Sequence, residues 1–283
     1  MGGDKFCNLV SSDYFEIERK ELNNLLGLTE EEYTQLHEKV TTVCRYSLDV
    51  AENEWEYTEA GQKLVEKAVS LENRNDSLVI FDSAISSNIP GHDLVDKARI
   101  SEFIALVCDI RKSTLRLSTN LADARVNGIQ RVFYETSALL PSLEVVIDHF
   151  SGSVTEYLGD GVLGFFPYSN DDDLYNSYYA SIGCMEMVRT IVNSEINHRY
   201  NLPPLDIGIG MACGSAMVRK VAKKHVKAFG RCVWTASKLS GGTNLILIDD
   251  TLKGKWPSSK NGTISFRIRE LSKNLKGYKL YPQ

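Results

Sequence analysis

From Phe103 to Cys108 the chain is continuously apolar, then breaks at Asp109-Ile110 and the polar Arg111-Lys112-Ser113-Thr114. An unbroken apolar run of strand length predicts a buried strand, here with a carboxylate at its C-terminal end. Two more short runs, Val154–Leu158 and Val162–Pro167, flank Gly159-Asp160-Gly161 and predict a β-hairpin carrying Asp160 at its tip. Helical periodicity starts at Thr29, which forms a capping box with Glu32, and continues through Tyr33, Leu36, Val40 and Val43. A second helical pattern follows Thr58, with Leu64, Val65, Ala68 and Val69 on its buried side. Residues 72–91 turn polar and turn-rich around the apolar run Leu78–Phe81. This places a boundary near Pro90, with a mainly helical extension over 1–95 and a larger unit over 96–283. Within that unit, Leu117–Phe150 reads as a helix broken at Pro141. Asp171-Asp172-Asp173 opens another helix that stops before Pro203-Pro204. Leu205–Met211, Val226–Gly230, Leu245–Ile248 and Ile264–Ile268 read as strands, and a short helix runs from Gly230 to about Lys238. The order predicts an α+β sandwich: a mainly antiparallel sheet with helices on one face.

Composition narrows the class. A charged fraction of 24%, a hydrophobic fraction of 43% and a net charge of -5 are ordinary for a globular protein, and give no electrostatic case for nucleic acid or an anionic membrane. Six cysteines without a C-x-x-C pair read as reduced core thiols. No apolar run reaches the length of a membrane span, and the N-terminus lacks a secretion signal, so the expectation is a soluble, cytoplasmic protein. The five histidines show no ligand spacing, and Gly2-Gly3-Asp4-Lys5-Phe6, superficially like a GGDEF signature, sits at a chain end with no strand before it. The chemistry therefore rests on the two acids. If the strand ending at Asp109 lies beside the hairpin, Asp109 and Asp160 converge on hard divalent cations, as phosphoryl or nucleotidyl transfer requires.

The motifs fall in a familiar order. Asp109-Ile110 with Ser113-Thr114, Gly159-Asp160-Gly161, Gly208-Ile209-Gly210 with Gly214, and Phe229-Gly230 before Val233–Leu239 resemble the class III nucleotidyl cyclase catalytic domain over about Glu102–Tyr281. The resemblance implies a ferredoxin-like α/β sandwich that converts a nucleoside triphosphate to a 3',5'-cyclic monophosphate and pyrophosphate. It implies two magnesium or manganese ions on Asp109, Asp160 and the Ile110 carbonyl, with the backbone of Arg111, Lys112, Ser113 and Thr114 near the phosphates. It also implies a head-to-tail homodimer whose two sites each take Asp109 and Asp160 from one chain and the later motif from the other.

Departures from the family pattern carry information. Trp234 stands where the family usually has a ribose-orienting Asn, and Lys238 where it has a transition-state Arg. Lys keeps the charge but not the guanidinium fork, and Arg111 and Arg231 are candidates to take over. At the base-reading positions Glu156 matches the guanine type and Lys227 matches neither type. An acceptor beside a donor reads uracil or guanine and, turned around, cytosine or adenine. Trp234 either narrows the pocket and stacks on a smaller base or points into the core. This combination resembles the pyrimidine cyclases of the bacterial Pycsar antiphage systems, which implies cyclic UMP or cyclic CMP as product, with UTP the favoured substrate, and a separately encoded effector for the cyclic nucleotide. An ordinary adenylate or guanylate cyclase, or a silent nucleotide-binding module, remains the alternative.

Overall fold

The computed structural model describes residues 19–57, 61, 63, 99–119, 121–222, 225–257, 264–272 and 275–282. The Gly2–Phe6 stretch, the helical pattern from Leu64 to Val69, the Leu78–Phe81 run and the boundary near Pro90 lie outside the described residues.

Two helices come first, α1 (Arg19–Leu25) and α2 (Glu30–Tyr57). Thr29 and Glu32 form the expected capping box: the Thr29 backbone N–H donates to Glu32 Oε2 at 2.8 Å, and the Glu32 N–H donates to Thr29 Oγ1 at 3.2 Å. The buried stripe of α2 runs through Tyr33, Leu36, Val40, Cys44, Leu48, Ala51 and Trp55, so Cys44 and not Val43 is the fully buried position. Strand β1 (Arg99–Ile110) leads into a one-and-a-half-turn helix, α3 (Ser113–Ser118), and then α4 (Gly128–His149). Strands β2 (Ser153–Tyr157) and β3 (Gly161–Pro167) form the hairpin. Helix α5 (Asp171–Ile182), a π-helical segment (Gly183–Val188) and α6 (Arg189–Tyr200) make one long rod, capped at its start by reciprocal bonds between Asn170 and Asp173. The rest is β4 (Ile207–Ala222), β5 (His225–Gly230), α7 (Arg231–Leu239), β6 (Ile246–Ile248), α8 (Asp250–Lys255), β7 (Ile264–Ser272) and β8 (Leu275–Pro282).

The strands join one sheet in the order β2-β3-β1-β4-β6-β8-β7, with β5 paired to the far half of β4, and β4–β6 is the parallel pair among antiparallel ones. Period-2 alternation sorts β1 between two layers. Ile104, Leu106, Cys108 and Ile110 pack in the larger core with α2, α4, α5 and α6. Phe103, Ala105 and Val107 face the other way, into a smaller cluster with Leu163, Phe165, Ala212, Ala216, Cys232 and Ala236. Helices therefore cover both faces: α7 occupies the side opposite α4–α6, which corrects the one-face expectation.

Three other expectations are revised. Helix α4 begins at Gly128 and runs unbroken through Pro141. Packing overrides the missing proline donor, because Ala138, Leu139, Leu143, Val146 and Ile147 are all fully buried and Ser142 Oγ donates to the Ala138 carbonyl at 2.7 Å. The strand read as Leu205–Met211 begins at Ile207 and extends to Ala222, since it pairs β1 from Ile207 to Val218 and β5 from Ala216 to Ala222. A final strand, β8, accompanies β7.

Helix α2 joins the larger core directly and adds a polar seam. Arg45 pairs with Glu195 at 2.8 Å, and Arg199 with Asp49 at 2.6 Å and Glu52 at 3.3 Å. The five described cysteines are free and buried, and burial holds their thiols above the ordinary range, Cys44 and Cys213 at about 12, as inert core residues would be.

Candidate active site

Asp109 continues the Phe103, Ala105, Val107 alternation and so projects on the α7 face at the open end of β1. Its partner across β3 is Gly161 and across β4 is Gly208. Both glycines are required by close approach. A Cβ on Gly161 would lie 2.5 Å from the Cys108 carbonyl and 3.0 Å from Asp109 Oδ1; one on Gly208 would lie 2.0 Å from the Ser240 carbonyl. The hairpin tip turns through Gly159 at φ +80°, a conformation natural to glycine, and brings Asp160 back onto the strand end, where the Ile110 N–H donates to the Asp160 carbonyl at 3.3 Å.

The two acids thus converge. Burial first, and the neighbouring Asp160 charge second, raise the Asp109 pKa to about 7, while Arg111 pulls it down. Arg111 Nη1 donates to Asp109 Oδ2 at 2.9 Å and to the Ser240 carbonyl at 3.2 Å. A half-buried carboxyl pair at a strand end is a donor set that suits hard divalent cations, and Ile110 lies beside it in the chain. Among the described residues no group of three or more His, Cys, Asp or Glu side chains assembles as a metal site.

The turn Arg111–Thr114, expected to lie near phosphates, follows the strand end but differs in detail. Lys112 adopts a left-handed conformation (φ 58°) before α3, whose first turn carries Ser113 and Thr114. The Arg111 amide donates to the Asp206 carbonyl at 2.8 Å and is therefore taken, which removes it from the expected phosphate cradle. Helix α3 is clamped by a group absent from the sequence reading: Arg116 grips both oxygens of buried Glu135 (2.6 and 2.9 Å), and Arg131 reaches the same carboxylate at 2.9 Å. Only the Arg131–Glu135 spacing of four signals it in the sequence.

Glu156 and Lys227 also meet, with Lys227 Nζ donating to Glu156 Oε2 at 3.2 Å although β2 and β5 are not ladder neighbours. A β-bulge makes this possible. The register slips between Val154 and Glu156, so Glu156 lies opposite Leu163 on the α7 face instead of falling with Val154 into the larger core. Its side chain is 10% exposed and that of Lys227 is 51% exposed, a shielded acceptor beside an open donor.

On α7, Cys232, Ala236 and Leu239 are buried, which turns Trp234 and Lys238 outward on the opposite face, one turn apart. Trp234 is 71% exposed, so its core alternative is excluded. Arg231 is exposed as well. Backbone contact seats the helix: a Cβ on Gly210 would lie 2.0 Å from the Ala236 carbonyl.

No protein-family model matches the sequence, and no curated protein sequence matches it. Solved structures do. The guanylyl cyclase Cya2 superposes with a TM-score of 0.52 at 20% identity, over 65% of this chain and 93% of that one. The adenylyl cyclase CyaB from P. aeruginosa gives 0.53 at 17% identity, over 66% of this chain and 97% of that one. The fold is that of the class III adenylyl and guanylyl cyclase catalytic domains, with an N-terminal helix added. Among the described residues no helix is long and apolar enough to cross a membrane.

Proposed function

We propose that this chain is a metal-dependent nucleotidyl cyclase, with residues 96–283 as catalytic domain and 1–95 as a mainly helical extension. It converts a nucleoside triphosphate, best UTP, to its 3',5'-cyclic monophosphate and pyrophosphate. The observation that carries this reading is the convergence of Asp109 and Asp160 at the open end of β1 on a cyclase fold. A pair of desolvated carboxylates with no cation is a self-repelling arrangement that folding alone does not favour, which counts against a silent module. Asp109, Asp160 and the Ile110 carbonyl would hold two magnesium or manganese ions, which supply a lowered hydroxyl pKa and neutralisation of triphosphate charge. The chain's own groups do the rest. Ser113 and Thr114, at the uncapped start of α3, face the phosphates with Arg111 and Lys112 beside them, and Lys238 from a second copy stabilises charge on the transferring phosphorus.

A second copy is needed because Trp234 and Lys238 point outward into solvent. Exposed apolar residues flank the acids (Leu115, Leu158) and the base-reading pair (Phe229, Trp234), consistent with a head-to-tail homodimer closing both sites. Base choice rests on Glu156, Lys227 and Trp234. The N3–H and O4 of uracil satisfy the carboxylate and the ammonium together, and the exposed indole offers a stacking face. Guanine presents the same N1–H and O6 order, so guanylate cyclase is the second reading, favoured by Glu156. Phage defence through a separate effector, in the cytoplasm, follows from the Pycsar resemblance.

Purified protein with manganese and each ribonucleoside triphosphate in turn tests the reading, with products resolved by chromatography and mass. Cyclic UMP is expected to dominate, and Asp109→Ala and Asp160→Ala to abolish it. Cyclic AMP or GMP as main product would reject the pyrimidine assignment, and full activity in both variants would reject the site.

A further inference from the structure

Arg111 is two residues beyond Asp109, and its side chain doubles back over the strand end. Nη1 bridges Asp109 Oδ2 at 2.9 Å and the Ser240 carbonyl, just past α7, at 3.2 Å. The pair is partly shielded, with side chains 23% and 29% exposed. The backbone is fixed independently, through the Arg111 N–H to the Asp206 carbonyl at 2.8 Å, and Lys112 turns the chain away at φ 58°. The guanidinium can therefore leave Asp109 by side-chain rotation alone, without moving β1 or α3.

We infer that Arg111 is a built-in counter-ion that competes with the divalent cation for Asp109, and is handed to the substrate phosphates when nucleotide binds, making metal and nucleotide binding cooperative. This rests on Asp109 and Asp160 being metal ligands, as proposed above. The competition is electrostatic and steric. A carboxylate oxygen that accepts a charged N–H at 2.9 Å has a cation on it already. A second cation on the same oxygen, at the 2.0–2.1 Å typical of magnesium, would be repelled by a guanidinium that cannot lose its charge. A triphosphate changes the balance, since phosphate oxygens accept a guanidinium fork bidentately, more strongly than one carboxylate oxygen and a carbonyl. Linkage makes the effect reciprocal: whatever factor nucleotide adds to metal affinity, metal adds to nucleotide affinity.

The test is manganese binding to the full chain, read by electron paramagnetic resonance of free manganese, with and without 3'-deoxy-UTP, which cannot cyclise. Wild type is expected to tighten its hold on manganese roughly fivefold or more when the analogue is added, in the usual range of coupling between sites. After subtraction of the manganese that the analogue chelates in a protein-free titration, Arg111→Gln is expected to bind manganese more tightly than wild type from the outset and to gain less from the analogue. Arg111→Lys, which keeps a point charge, should fall between them. Loss of binding in Asp109→Asn establishes the underlying metal reading. With that in hand, equal manganese affinity in wild type and Arg111→Gln, or an unchanged nucleotide effect, overturns the counter-ion role alone. Manganese bound by neither chain overturns both.

Discussion

Asp109 carries a cost that the rest of the site is arranged around. In the folded chain its pKa stands near 7 against an ordinary 3.8, chiefly through burial, so across that interval the native state holds a proton that the unfolded state has released. The sign follows from linkage: the contribution to stability is complete below about pH 4 and is lost as pH rises through 7. Asn cannot titrate. In chelator-treated buffer, Asp109→Asn is therefore expected to gain on wild type in urea midpoint between pH 4.5 and 7.5, and a constant difference across that range would contradict the assignment. Residues at ends of patterns were the legible ones. Asp109 closes an apolar run and Asp160 sits between two glycines, so both could be located without coordinates. Glu156 could be named but not aimed, because a one-residue bulge at Thr155 decides which face it takes. The outward direction of Trp234 was open in the sequence reading, yet Cys232, Ala236 and Leu239 already mark the buried side of a nine-residue helix.

Among the elements, α3 is the least self-sufficient. Six residues with no side-chain cap are too few to hold a helix in water. What holds α3 is Arg116, bonded to both Glu135 oxygens and, through Nη2, to the Pro203 carbonyl at 3.3 Å. Glu135 is fully buried and also receives Arg131. Glu135→Ala leaves two cations facing each other and should cost about 3–5 kcal/mol, as breaking buried pairs does. Thermal melts should show a large drop for Ala and a smaller one for Gln, which keeps an acceptor; equal melting of Ala and wild type would remove the clamp from the account. The clamp escaped the sequence because Arg116 belongs to α3, 19 residues before Glu135 on α4. Local signals fared better: the Thr29–Glu32 capping box and the Gly159 turn formed as read. Pro141 misled, because a helix packed on both sides tolerates one missing donor.

For the whole molecule, the proposed head-to-tail dimer makes a prediction that needs two chains. Asp109→Ala and Lys238→Ala variants, each inactive alone, are expected to regain about a quarter of wild-type activity when mixed in equal amounts, since random pairing makes half the dimers mixed and each mixed dimer has one intact site. No recovery after subunit exchange would show that each site is built from one chain. The antiparallel sheet with helices packed on it was legible from the order of elements; the placement of α7 on its own face was not, because nothing in a short amphipathic helix says which side of a sheet it will take. Gly208 and Gly210 fix that placement, letting α7 and the loop after it rest on the strand with no room for a methyl group. A bearing with no clearance cannot slide. The outward face of α7 and the acids at the end of β1 are therefore expected to move as one casting, and in the proposed dimer any closing stroke would be taken up at the joint between two copies rather than inside either one.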